Sequence, residues 1–295
     1  MKHVQNHVAA ITYMVVGIAA MVTMDAMAKL LMTTDAQLSP ILLIGIRSAI
    51  IVTLIVAYYA ATQNIEQITP KRPIVQLARG AMGFLAPVCY FKSLQTLPIA
   101  DASVIFFSSI FIVTALSWPL LKERVGIHRW SAVVIGFVGV VVAMQPQGGG
   151  NYISYVYCLI SSLAYALLFI SGRYLSKTES VMSLVLTFNV GAGLMSLLWF
   201  PWVWQAISGE LLLQIFGFSL LAVLGHICMT VAFSRAPVSI IAPFEYTALI
   251  WAVGLGYLLW DELPNARVVL GAAIIIACAL YVIYRESINL RKSGI

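Results

Sequence analysis

Runs of roughly twenty apolar residues, each closed by a short polar break, recur ten times along this chain. A bilayer core takes about 20 apolar residues per helical crossing. The pattern therefore predicts helices over residues 8–32, 38–61, 73–96, 99–121, 129–145, 151–174, 180–204, 210–234, 237–260 and 267–284. The breaks at 33–37, 63–72, 122–129, 145–151 and 261–265 are polar. Those at Leu97-Pro98 and Ala236-Pro237 rest on a proline that opens the next helix. Lys2, the apolar run after it and the Ala26-Met27-Ala28 triplet imitate a secretory leader. The run continues through Met32 and has a second copy mid-chain, so it is expected to be a first span.

Composition narrows the class. The 295 residues are 61% hydrophobic and only 9% charged, where a soluble domain carries about 25% charge. Too few charges remain to coat a water-facing surface, so lipid is the expected solvent. The formal net charge of +6 comes from basic residues scattered between apolar runs, and nucleic acid is not an expected partner. The four cysteines all lie inside apolar runs without a C-x-x-C pair or a His/Cys cluster. No disulfide framework, metal or cofactor is expected.

Lysine and arginine orient the bundle. With the N-terminus in the cytoplasm, the segments and helix ends on that side hold thirteen of the 17 basic residues: Lys2, Lys71, Arg72, Arg79, Lys122, Arg124, Arg129, Arg173, Lys177, Arg235, Arg285, Arg291 and Lys292. Arg267 alone lies outside, and Lys29, Arg47 and Lys92 fall within spans. Trp199, Trp202 and Trp204 then lie at the outer interface, where amphipathic rings are favoured.

The chain also resembles itself. A shift of 139 lays Pro98 on Pro237 and Glu123 on Glu262. A shift of 144 lays Tyr13 on Tyr157, Ala20 on Ala164, Lys29 on Arg173 and Leu31 on Leu175. Five helices per half is an odd number, so the second half must be upside down. The basic loop Lys122-Glu123-Arg124 has the counterpart Asp261-Glu262-Leu263, which has lost its basic residues, as an inverted repeat requires. The expected fold is an all-α membrane protein of ten transmembrane helices in two inverted five-helix repeats, residues 1–146 and 147–295.

Two local features carry a wider likeness: Leu97-Pro98-Ile99-Ala100-Asp101-Ala102 leading to Leu121-Lys122-Glu123-Arg124 and Gly136-x-x-Gly139, and Arg79-Gly80 early in the third span. With the two five-helix halves they resemble the EamA-type branch of the drug/metabolite transporter superfamily, over roughly residues 10–285. The resemblance implies ten helices, both termini cytoplasmic, and a central cavity formed by helices 1, 3, 4, 6, 8 and 9. Members export amino acids and other metabolites, and some relatives import S-adenosylmethionine or riboflavin. Tyr90, Phe106, Phe107, Tyr165 and Tyr246 are the aromatic candidates in the cavity-forming spans; each can equally face lipid or a neighbouring helix.

Ionisable groups inside a span are costly unless paired or hydrated, so they are the natural site candidates. Asp25 and Lys29 are four apart and share a helix face. Arg47 lies at a similar depth on the second span, so Asp25 and Arg47 form either a structural ion pair or a gate and substrate contact. Lys92 and Asp101 flank the Leu97-Pro98 turn and are expected to bridge it. Arg79 is placed to snorkel to the cytoplasmic face or to hold an anionic group. Glu245 stands about 12 Å into the ninth span at 1.5 Å per residue, with His226 at a comparable depth before the same turn. Their repeat counterparts are Phe106 and Pro87, so the scaffold demands neither charge. They are candidates for proton coupling or cation binding, against the plainer reading of hydrogen bonds to neighbouring helices. Pro87 and Pro243 lie within spans and are expected to bend them.

These features point to a secondary transporter in the bacterial inner membrane, working by alternating access on a small metabolite, with a proton or other ion as possible partner. The mixture of charges within spans favours a zwitterionic, amino-acid-like solute; uptake of S-adenosylmethionine or riboflavin is the alternative. An enzyme is not expected: there is no H-E-x-x-H, and Gly148-Gly149-Gly150 lacks the lysine of a phosphate loop. Nor is a channel, for no filter-like loop is visible. The chain is expected to be a monomer or homodimer in the lipid bilayer.

Overall fold

The computed structural model describes residues 2–34, 37–121, 126–144, 152–176, 178–236 and 238–292. Within them the regular elements are all helical: α1 (Lys2–Thr33), α2 (Pro40–Ala61), α3 (Pro73–Leu94), α4 (Ile99–Phe106), α5 (Ser108–Leu121), α6 (Ile127–Ala143), α7 (Tyr152–Leu175), α8 (Val181–Val203), α9 (Gly209–Arg235), α10 (Val238–Ile241), α11 (Thr247–Trp260) and α12 (Ala266–Lys292). Eight stretches are long and apolar enough to cross a membrane, with α4 and α5 together forming one of them, and α6 is a shorter apolar helix. The α10–α11 stretch completes ten passages. Lipid offers the backbone no hydrogen-bond partners, so a chain this apolar must satisfy its peptide groups within helices.

Three details depart from the expected elements. The fourth passage is broken: α4 ends at Phe106, Phe107 makes a turn, and the Ile110 N–H reaches back only to the Phe107 carbonyl at 3.1 Å. No proline or glycine marks this break. The ninth passage tightens into a 3₁₀ segment over Ala242–Tyr246 between α10 and α11. Here the cause is legible, since Pro243 has no N–H to give and its ring crowds the preceding turn. By contrast, Pro87 lies inside an unbroken α3. The polar connection at 63–72 also folds, forming a 3₁₀ turn over Ile65–Ile68 that buries Ile68.

Packing fixes the arrangement. α1 lies against α9 and α11, α7 against α3 and α5, α8 against α2 and α3, and α6 against α12. Lipid weakens the hydrophobic drive between helices, so close approach of small residues carries the association. A Cβ on Gly80 of α3 would come within 2.6 Å of the Gly191 Cα on α8. A Cβ on Gly271 of α12 would come within 2.6 Å of the Gly139 carbonyl on α6, and Gly136 takes the Phe111 ring. The glycines of the Gly136-x-x-Gly139 and Arg79-Gly80 motifs are thus helix contacts. Large apolar side chains such as Trp202, Leu213 and Leu258 point outward, as lipid contact requires.

Candidate functional site

At the end of the bundle holding the α3–α4 turn, α1 delivers Lys29 into a nearly closed pocket, 4% exposed. Its ammonium meets both carboxylate oxygens of Glu262, at 2.7 and 2.9 Å, and the Leu97 carbonyl at 3.0 Å. It also stands 4.8 Å from the centre of the Trp260 ring. All three N–H donors of the lysine therefore have oxygen partners. Asp101, in the first turn of α4, is the second carboxylate near this cation. Its Oδ1 is buried with no hydrogen-bond partner among the described residues. The expected Lys92–Asp101 bridge is not formed; Lys92 is exposed on α3, and Lys29 stands where that bridge was drawn.

Deeper along the passages a second group assembles. Asp25, one turn before Lys29, has the Arg47 guanidinium as its electrostatic neighbour and Tyr90 of α3 nearby. Arg47 is 5% exposed and lies 5.9 Å from the centre of the Phe218 ring of α9. It has no hydrogen bond among the described residues, and its Nε is buried without a partner. From Tyr90 an aromatic row runs through Phe106 to Tyr165, with ring centres 5.0 and 5.1 Å apart. Phe107 packs on Tyr246 at 5.1 Å.

His226 and Glu245 do not form a contact pair among the described residues. The His226 Nδ1 lies 2.7 Å from the Ala222 carbonyl one turn back. A carbonyl only accepts, so Nδ1 carries the proton and Nε2 is left for another partner. Arg47 is the charged neighbour of His226. Glu245 is half-buried on the 3₁₀ segment, beside Tyr165 and Tyr246. The two residues thus stand apart: His226 is exposed on α9, and Glu245 lies on the 3₁₀ segment next to Tyr246.

The opposite end is held by contacts of another kind. Arg79 donates to the Leu184 carbonyl at 2.9 Å, tying α3 to α8. The Glu179 carboxylate, in the α7–α8 turn, accepts the N–H groups of Lys71 and Arg72 at 2.9 and 2.8 Å. These lie just before α3, where N–H groups lack helical partners. Burial of Glu179 would raise its pKa, but those N–H groups and Ser183 outweigh that and hold it below the usual carboxylate value. Sequence reading missed Glu179 as a clamp, Glu262 as the partner of Lys29, and Phe218 beneath Arg47. Only Glu262 had a signal, since both it and Lys29 fall at helix ends on one side.

Comparison with known proteins decides the family. The model of the EamA-like transporter family matches the chain twice, over residues 8–145 and 152–284. The chain belongs to the EamA family of the drug/metabolite transporter superfamily. The pseudopaline exporter CntI of Pseudomonas aeruginosa is 30% identical over 268 residues, covering 89% of this chain and 93% of its own. The S-adenosylmethionine uptake transporter of Rickettsia conorii is 27% identical over 245 residues, 81% of this chain and 80% of its own. A crystal structure of a protein 16% identical in sequence superposes with a TM-score of 0.62 over 92% of this chain and 96% of that one, which shows the shared fold. This EamA-family chain is accordingly a multi-pass membrane transporter and not an enzyme.

Proposed function

We propose that the chain is a secondary transporter that moves a small zwitterionic, amino-acid-like metabolite across the bacterial inner membrane. Its halves, residues 1–146 and 147–295, are read as inverted repeats that rock about a central site. The observation that carries the substrate class is the buried Arg47 guanidinium, without a hydrogen bond among the described residues, with Asp25 of α1 as its electrostatic neighbour. Charges of both signs are held together in a low-dielectric interior, where each would be costly alone.

Several features support the repeat. α1 on α9 corresponds to α7 on α3, and α5 on α7 to α11 on α1. The breaks at Phe107 and before Thr247 fall at equivalent places under the shift of 139. Phe107 and Tyr246, equivalent under that shift, pack ring to ring. A second reading, import of S-adenosylmethionine, is favoured by the Rickettsia relatives.

Uptake and efflux in vesicles, with a panel of amino acids, S-adenosylmethionine and riboflavin, test the substrate. Flux of an amino-acid-like member is expected, and failure of every member sinks the substrate class. Glu245→Gln is expected to shift the pH dependence of flux. An unchanged profile at normal expression removes Glu245 from proton coupling.

A further inference from the structure

We infer that Arg47 and Asp25 form a head-group subsite for an α-amino carboxylate, with Arg47 taking the carboxylate and Asp25 the ammonium. The inference rests on the transporter reading above and specifies which atoms meet the solute. Its starting point is a difference between the interior cations. Lys29 is saturated by Glu262 and Leu97, and Arg79 is tied to Leu184. Arg47 is as buried as Lys29, yet its guanidinium has no hydrogen bond among the described residues.

A guanidinium presents five N–H donors in a fixed plane. Asp25 is near enough to attract Arg47 but makes no ion-pair contact with it, so the two charges stand apart in one interior. That gap fits a ligand carrying both opposite charges. A carboxylate can take two parallel N–H groups of Arg47 while the Phe218 ring supports the guanidinium face. Asp25 then accepts from the ligand ammonium, with Tyr90 of α3 beside it. A bare anion would leave Asp25 facing it, and a bare cation would face Arg47. Both solutes carry an unpaired like charge that the zwitterion does not.

The test is equilibrium binding of labelled S-adenosylmethionine and L-methionine to the purified full-length protein, in competition with methionine methyl ester and with the decarboxylated amine. For the unmutated chain, loss of the carboxylate is expected to weaken binding at least tenfold. Arg47→Gln is expected to bring the acid down to the ester's affinity and to leave the ester unchanged; Arg47→Lys should recover part of the preference. Equal loss for acid and ester in Arg47→Gln would overturn the inference and make Arg47 a packing residue. A preserved acid preference would place the carboxylate elsewhere and also overturn it. Should Arg47→Gln not fold, the acid-to-ester ratio in the unmutated chain decides alone, a ratio near one being fatal. No binding of any probe overturns the subsite, whereas vesicle flux of a solute without an amino-acid head would leave the transporter reading standing.

Discussion

Lys29 illustrates how a span tolerates a cation. Its ammonium exchanges water for two carboxylate oxygens and a carbonyl, and losing such a partner strands a charge away from water. Lys29→Met is expected to cost about 2–3 kcal/mol, less than a fully buried pair because Glu262 is 26% exposed. The apparent melting temperature of purified protein should fall by roughly 5–10 °C, and the Lys29→Glu, Glu262→Lys exchange should recover part of it. No recovery would mean that the orientation of the pair, and not its charge, holds this end. Glu179 makes a pH-dependent contribution. Its folded pKa is depressed, so its stabilisation is complete above about pH 4.3, the ordinary glutamate value, and fades as pH falls through the lower folded value. Glu179→Gln should therefore melt lower than the parent near neutral pH, with the gap closing in acid. A gap that stays constant with pH would exclude the charge as its cause. Intramembrane charges were legible as candidates because their cost makes them rare, but their partners were not. Lys29 and Glu262 are 233 positions apart, and helix spacing carries no information over that range.

At the scale of helices, the load falls on close backbone approaches. Gly80 and Gly191 leave no room for a methyl group between α3 and α8, so Gly80→Ala should destabilise by roughly 1–3 kcal/mol through overpacking. Gly254 of α11 has open space where a Cβ would be built, and alanine there should be neutral or slightly favourable through helix propensity. Thermal unfolding of the two variants side by side checks this; equal effects would refute the contact argument. The ten passages were readable because lipid imposes long apolar runs. The 3₁₀ segment was partly readable through Pro243. The break at Phe107 was hidden, because Phe106, Phe107 and Ser108 are ordinary span residues. No local signal marks the turn there.

For the whole molecule, contacts sort the connections into two groups. The turn before α3 meets the α7–α8 turn through Glu179, while the α3–α4 turn and Glu262 meet at Lys29. The lysine and arginine distribution would place the first group in the cytoplasm. All four cysteines are buried, so single introduced cysteines can be read by an impermeant thiol reagent. Ser176→Cys should react only after the membrane is opened, and Gln147→Cys, outside the described residues, should react from outside in intact cells. The opposite result would invert the assignment. The Phe107–Tyr246 contact has a historical consequence. Had the halves begun as two copies of one shorter chain, this position faced itself, and every substitution changed both sides together. In one continuous chain the sides are free to diverge, and one is now a bare ring while the other carries a hydroxyl. Under the proposed function, release from that enforced likeness would let a solute with two unlike ends meet two unlike walls.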